Sequence, residues 1–144
     1  MSTPIVFRAA QEGDSAALTE LSAQLGYPVS ADYVREWLVK HSRNENEKLI
    51  VAESSEGIIG WTSVAVVELF YSRPFVEIHG FVVDEKHRRK GIGKLFIEEI
   101  QKWADEKGIK VIRVRANIVR KEAHEFYKNL GFIKKKEQCV FEKE

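Results

Sequence analysis

The 144-residue chain has one cysteine, Cys139, so it can form neither an internal disulfide nor a multi-cysteine metal site. That fits a reducing compartment, with Cys139 as a small strand residue. No run approaches the roughly 18 apolar residues of a membrane span, and "MSTPIVFRAAQEGDS" lacks a basic segment followed by a long apolar stretch. A cytoplasmic protein with no membrane partner is the expectation. Neither sign of charge dominates, since 23 Lys and Arg stand against 22 Asp and Glu, so no global field would hold a polyanion. The four histidines, His41, His79, His87 and His124, form no HExxH or other close ligand spacing, and no metal is expected. The absence of G-x-S-x-G excludes serine-hydrolase chemistry of that type. No repeat, linker or low-complexity segment interrupts the chain.

What remains is an ordinary globular composition, 44% apolar and 31% charged, with a length suited to one domain over residues 1–144. "PIVFRA" reads as a first strand. Asp14 is a candidate cap for a helix bearing Ala17, Leu18, Leu21 and Leu25 at helical spacing, and Ser30 for a second with Val34, Trp37, Leu38 and His41 on one side. "KLIVAES", "IIGWTSVAVVELF" and "FVEIHGFVV" read as three neighbouring antiparallel strands. A helix follows from Gly91, with Ile92, Leu95, Phe96, Ile100, Trp103 and Ala104 on one stripe and Gly108 at its end. "KVIRVRAN" returns to strand alternation after a parallel crossover, and a short helix carries Ala123, Phe126, Tyr127 and Leu130. "FIKKK" and "QCVFEK" read as two final strands. The sum is an α/β domain of order β-α-α-β-β-β-α-β-α-β-β, with about four helices on a mixed, mostly antiparallel sheet of six to seven strands.

The stretch with the most chemistry is "DEKHRRKGIGK", Asp84 to Lys94, between a strand and a helix. A Rossmann fingerprint would need glycine or alanine at Phe96. A Walker loop would need glycine at Arg88 and Ser or Thr at Leu95. Both patterns fail. A nucleic-acid patch would extend past one loop and carry aromatics, yet Asp84 and Glu85 bound the basic cluster on one side and Glu98 and Glu99 on the other. No nucleic-acid partner is expected, and a small RNA-binding domain is the weakest reading. A strand running into glycines at a helix N-terminus instead presents unpaired N–H groups and a positive dipole end to a phosphate. Gly91 and Gly93 would let the backbone approach, and Arg88, Arg89, Lys90 and Lys94 would add charge around it. A solvated turn is the bland alternative.

"RRKGIG" matches Arg/Gln-x-x-Gly-x-Gly/Ala, the pyrophosphate-binding loop of the GNAT superfamily of N-acyltransferases, and "EAHEFYKNLGF" is similar to that superfamily's Tyr-bearing helix and Leu-Gly-Phe turn. The element order resembles that superfamily's order over nearly the whole chain. One departure is Arg89, where many members have glycine. The resemblance implies an N-acetyltransferase, an acyltransferase that uses acetyl-CoA as cosubstrate and a small-molecule or peptide amine as acceptor. It assigns the coenzyme to Phe81, Val82, Val83, the loop Arg88, Arg89, Lys90, Gly91, Ile92, Gly93 and Lys94, and to Asn117 and Tyr127. Asn117 also reads as a plain turn residue.

Tyr127 would donate a proton to the leaving thiolate, and N–H groups near Val82 and Val83 would meet the oxyanion. For the base, Glu77 and His79 are both candidates, Glu77 slightly favoured. Simple alternation would put Glu77, His79, Phe81 and Val83 on one strand face. The acceptor would enter near Tyr27, past Glu68, Tyr71, Glu77 and His79. Members often form dimers, and Phe70, Tyr71 and Phe75 are candidates for a homodimer interface or for the acceptor cleft. An acyl-CoA-binding sensor that transfers nothing is the alternative function.

Overall fold

The computed structural model describes residues 4–144, which fall into two compact units, residues up to Val114 and Arg115–Glu144. In the first unit, β1 (Val6–Ala9) leads through a 3-10 turn to helices α1 (Ser15–Leu25) and α2 (Ala31–His41). Strands β2 (Glu47–Ser54), β3 (Gly57–Val67) and β4 (Phe75–Val83), helix α3 (Ile92–Glu106) and strand β5 (Ile112–Val114) follow. The sheet runs in the order β1-β2-β3-β4-β5, antiparallel except for the parallel pair β4 and β5.

The strand register sorts the core. Phe7, Gly60, Thr62, Val64 and Ile78 share the face that receives α3, because paired residues point the same way. Fully buried Phe96 of α3 lies edge-on to Phe7 at 4.9 Å and to Phe81 at 5.3 Å between ring centroids. Gly60 makes this approach possible, since a Cβ there would stand 2.8 Å from the Val82 carbonyl oxygen and 2.9 Å from the Phe96 ring. On the opposite face Leu18, Leu38 and Val51 form a cluster joined by Val34, Trp37, Leu49 and Trp61.

Local signals explain the helix boundaries. The Ser30 hydroxyl accepts from the Tyr33 N–H at 3.1 Å, capping α2 as its sequence predicts. Asp14 does occupy the capping position of α1, but its carboxylate turns back to accept from Arg8 at 2.8 and 2.9 Å and from the Gln11 N–H at 2.8 Å. On α3 the buried stripe includes Ile97 and omits Leu95, which is 39% exposed.

The second unit holds α4 (Lys121–Asn129), which ends at Gly131 (φ 92°) with the Phe132 N–H donating to the Tyr127 carbonyl at 3.0 Å. The two expected final strands are absent, so the described sheet has five strands, not six to seven. Alternating side chains make a strand only where a neighbouring backbone completes the ladder. Residues 132–144 have no such partner, and Val140 and Phe141 are exposed.

Candidate active site

β4 changes character halfway along. Gly80 pairs with Ser63 and Ile78 with Val64, which leaves His79 as the extra residue of a bulge. The bulge reverses side-chain parity. Glu77 pairs with Ala65 on the α1/α2 face, whereas Phe81 pairs with Thr62 and Val83 with Gly60 on the α3 face. The expectation that Glu77, Phe81 and Val83 share one face is therefore corrected: uninterrupted alternation does not survive an inserted residue. The buried Thr62 hydroxyl donates to the Gly80 carbonyl at 2.9 Å and fixes this point.

The same point ends the pairing with β5, whose register covers only Val76 to Ile78. Beyond it one edge of β4 has no strand beside it among the described residues. The Val76 N–H donates to Val111 O at 2.9 Å, and the Asp84 N–H donates to Ile59 O at 2.8 Å. Counting from these two ends, Phe81 and Val83 turn their backbone groups toward the open edge, and Val82 turns its own toward β3. An extended, amide-bearing ligand could add along that edge as a strand does.

The loop after β4 presents backbone donors at a helix N-terminus. Gly91 takes the N-cap position of α3 at φ 80° with no side-chain cap, so the N–H groups of Ile92, Gly93 and Lys94 lack an intrahelical acceptor. A Cβ at Gly91 would meet nothing within 4 Å. Glycine is needed there for its left-handed backbone rather than for space. Arg89 is also left-handed, at φ 63°, which costs a non-glycine residue about 1 kcal/mol. The side chains of Arg89, Lys90 and Lys94 are exposed around the loop. Arg88 folds back, its Nε donating to Val83 O at 2.9 Å, and ties the loop to the end of β4.

Further bonds brace the loop from below. Gln24 of α1 donates to Asp84 Oδ1 at 3.1 Å and accepts from the Glu85 N–H at 3.0 Å. His87 lies between Asp84 and Glu56, so it belongs to this brace rather than to the basic rim. Burial pushes the Asp84 carboxyl upward, but bonds from Gln24, the Lys86 N–H and His87 outweigh it and hold it below the usual range.

On the other face of β4 an open cleft of about 420 Å³ is lined by Ser22, Leu25, Tyr27, Pro28, Val29, Trp61, His79 and Gly80. The edge of the Trp61 ring closes on Gly80, where a Cβ would stand 2.6 Å from it. Its Nε1–H is buried and meets no acceptor among the described residues. His79 and Glu77 meet here, with His79 Nε2 3.0 Å from Glu77 Oε1. The imidazole is half exposed at the cleft, and the carboxylate is 13% exposed behind it.

In the second unit, burial raises the Tyr127 phenol above its ordinary pKa, partly opposed by the charge of Arg120. The phenol thus stays protonated across the physiological range. Asn117 closes a turn: its Oδ1 accepts from the Val119 N–H at 3.1 Å, and its carbonyl accepts from the Arg120 N–H at 2.9 Å and from His124 Nε2 at 2.9 Å. It sits three residues past the end of β5, and these bonds match the turn reading.

Other expectations divide. Tyr27 and His79 line the cleft, but Glu68 lines a separate hollow with Arg73 and Lys107. Phe75 is buried under the Arg113 guanidinium, 4.1 Å from its ring centroid, and presents no surface for a partner. Phe70 and Tyr71 are exposed. Sequence reasoning missed Gln24, Thr62 and Trp61. Only Trp61 had a signal, its position near the middle of a strand beside the glycine-bearing β4. No described group of three or more His, Cys, Asp and Glu residues is placed to hold a metal ion, and no described helix is long and apolar enough to cross a membrane.

Known proteins share this fold. A transcriptional regulator from Bacillus halodurans superposes with a TM-score of 0.84 at 26% identity, over 96% of this chain and 99% of its own. An aminoglycoside 6'-N-acetyltransferase from Acinetobacter baumannii reaches 0.84 at 16% identity, over 98% and 99%, a likeness of fold. Another aminoglycoside N-acetyltransferase, solved in complex with CoA, reaches 0.86 at 18% identity, over 99% and 97%. An uncharacterized N-acetyltransferase of Methanocaldococcus jannaschii is 29% identical over 101 residues, 69% of this chain but only 43% of that relative's length. The model of the acetyltransferase (GNAT) family matches residues 15–132, across both units, and the chain belongs to that family.

Proposed function

We propose that the protein is an N-acetyltransferase that moves an acetyl group from acetyl-CoA to a primary amine by direct attack within a ternary complex. The observation that carries this reading is the continuity of β4. One strand runs past the end of its pairing with β5 to Val83, then into the Arg88–Lys94 loop at the α3 N-terminus, and presents Glu77 and His79 at the cleft.

The donor's pyrophosphate suits the loop amides of Gly91, Ile92 and Gly93, and Arg89, Lys90 and Lys94 supply charge around it. Its pantetheine arm suits the stretch of β4 beyond the β5 pairing, before Val83. Amide formation joins the amine nitrogen to the thioester carbonyl carbon and breaks the carbon–sulfur bond. His79, at the cleft, accepts the amine proton directly or through water, and Glu77 behind it orients the ring and supports its charge. This inverts the slight preference for Glu77 that sequence position suggests, because the imidazole is the more accessible group. The Val83 N–H at the open edge can meet the developing oxyanion, since Val83 O is already bonded to Arg88. Tyr127 gives its proton to the departing thiolate, a role that rests on the family motif and on its raised pKa.

Thiol release from acetyl-CoA, followed across a panel of primary amines, tests the reading. Amine-dependent release with formation of the acetylated amine is expected. Binding of acetyl-CoA with no amine-dependent release from any panel member would instead mark a sensor.

A further inference from the structure

The cleft beside His79 differs from what a polycationic acceptor requires. Its wall is Leu25, Pro28 and Val29 with the rings of Tyr27 and Trp61, and among the described lining residues the titratable groups are the Tyr27 phenol and His79. No carboxylate lines it among the described residues. Glu77 stands behind His79 rather than on the wall, and Glu68 lines a separate hollow. A ligand with several ammonium groups would lose hydration here without gaining a partner for each charge. A flat apolar body gains about 25 cal/mol for each Å² it buries.

The geometry also suits a ring. Gly80 lets the Cζ3–Cη2 edge of the Trp61 indole close against β4, so an aromatic edge borders the cleft there. Tyr27, just after the α1 C-terminus, is 71% exposed, an aromatic side chain at the rim that nothing in the first unit covers. His79 supplies the proton acceptor at the β4 bulge, where a single amine could sit.

Resting on the transferase reading above, we infer that the acceptor is a primary amine carried on one flat aromatic or apolar body, with the amine at His79 and the ring between Trp61 and Tyr27. Polyamines and aminoglycosides are discriminated against, although several proteins of similar fold are aminoglycoside acetyltransferases.

Calorimetric binding of tryptamine, 2-phenylethylamine, spermidine and kanamycin to the protein, with and without CoA, tests this directly. The two aryl amines should bind at least about ten-fold more tightly than spermidine or kanamycin. Tyr27→Ala, an exposed change that leaves the core intact, should weaken the aryl amines about five-fold and leave the weak binding of spermidine unchanged. Equal or tighter binding of spermidine or kanamycin, or aryl-amine affinity indifferent to Tyr27→Ala, overturns the inference. Thiol release with the same amines separates it from the reading beneath. Aryl-amine binding without transfer fails the transferase assignment alone, whereas transfer that prefers kanamycin or spermidine fails the acceptor assignment alone.

Discussion

The loop after β4 and the cleft beside it meet the same strand but are built from different materials. At the loop, the proposed donor site is made of backbone N–H groups at the α3 N-terminus, with exposed basic side chains around it. At the cleft, function sits in side chains from α1, the α1–α2 connection, β3 and β4, brought together only by folding. A backbone site tolerates changes of charge and fails when its dihedral angles are disturbed. A side-chain site fails when its packing is disturbed, and it sets the choice of substrate.

The largest effect expected from this contrast is at Gly91. Gly91→Glu places a side chain on a left-handed backbone and a negative charge at the anion site, and should reduce acetyl-CoA turnover at subsaturating donor by more than about 100-fold. A variant within a few-fold of wild type would dissolve the distinction between the two sites. Tyr127→Phe comes next, with kcat down by about 100-fold and donor affinity retained, as read from steady-state kinetics. Because burial raises the Tyr127 pKa, the alkaline limb of the wild-type kcat profile should lie above the ordinary phenol value near 10 and vanish in the variant. A limb that persists in Tyr127→Phe points to another donor.

The cleft should respond differently. Gly80→Val displaces the Trp61 ring and should raise the acceptor KM by about ten-fold while leaving the donor KM near wild type. Equal effects on both would mean that the two halves of β4 act as one site. Below that comes the anchor of α1. Arg8 holds Asp14 well below the usual carboxylate range, against the opposing effect of burial. A depressed native pKa stabilises the fold above the unfolded value near 3.9, and the contribution is lost as pH falls through the native value. Asp14→Asn should therefore cost about 1–3 kcal/mol at neutral pH in denaturant titration, with the gap closing below about pH 4. The smallest change is Arg89→Gly, which relieves the left-handed strain and should alter stability by no more than about 1 kcal/mol either way, with donor affinity slightly weaker for the lost charge.

The difference in material also decides what could be read in advance. The loop was legible because its requirement is local: Gly91 and Gly93 follow a strand and open a helix, and helical spacing marks α3 down to its end near Gly108. The antiparallel run from β2 to β4, the parallel crossover and the Ser30 cap were legible for the same reason. The bulge was not, because inserting His79 changes no residue type and shows only in the pairing with β3. Its consequence, Glu77 on one face with Phe81 and Val83 on the other, therefore escaped. Gln24 bracing Asp84 across 60 positions has no sequence signature either. The final strands failed for the converse reason, since alternation near Val140 was visible but a ladder partner cannot be read from it.

The central claim is that β4's open edge and the α3 N-terminus hold acetyl-CoA through backbone amides. Amide-resolved NMR of the protein titrated with acetyl-CoA tests it most directly. The account predicts that the largest shifts and the strongest gain in exchange protection fall on the N–H groups of Val83, Ile92, Gly93 and Lys94. Saturable acetyl-CoA binding that leaves those amides unchanged would contradict it.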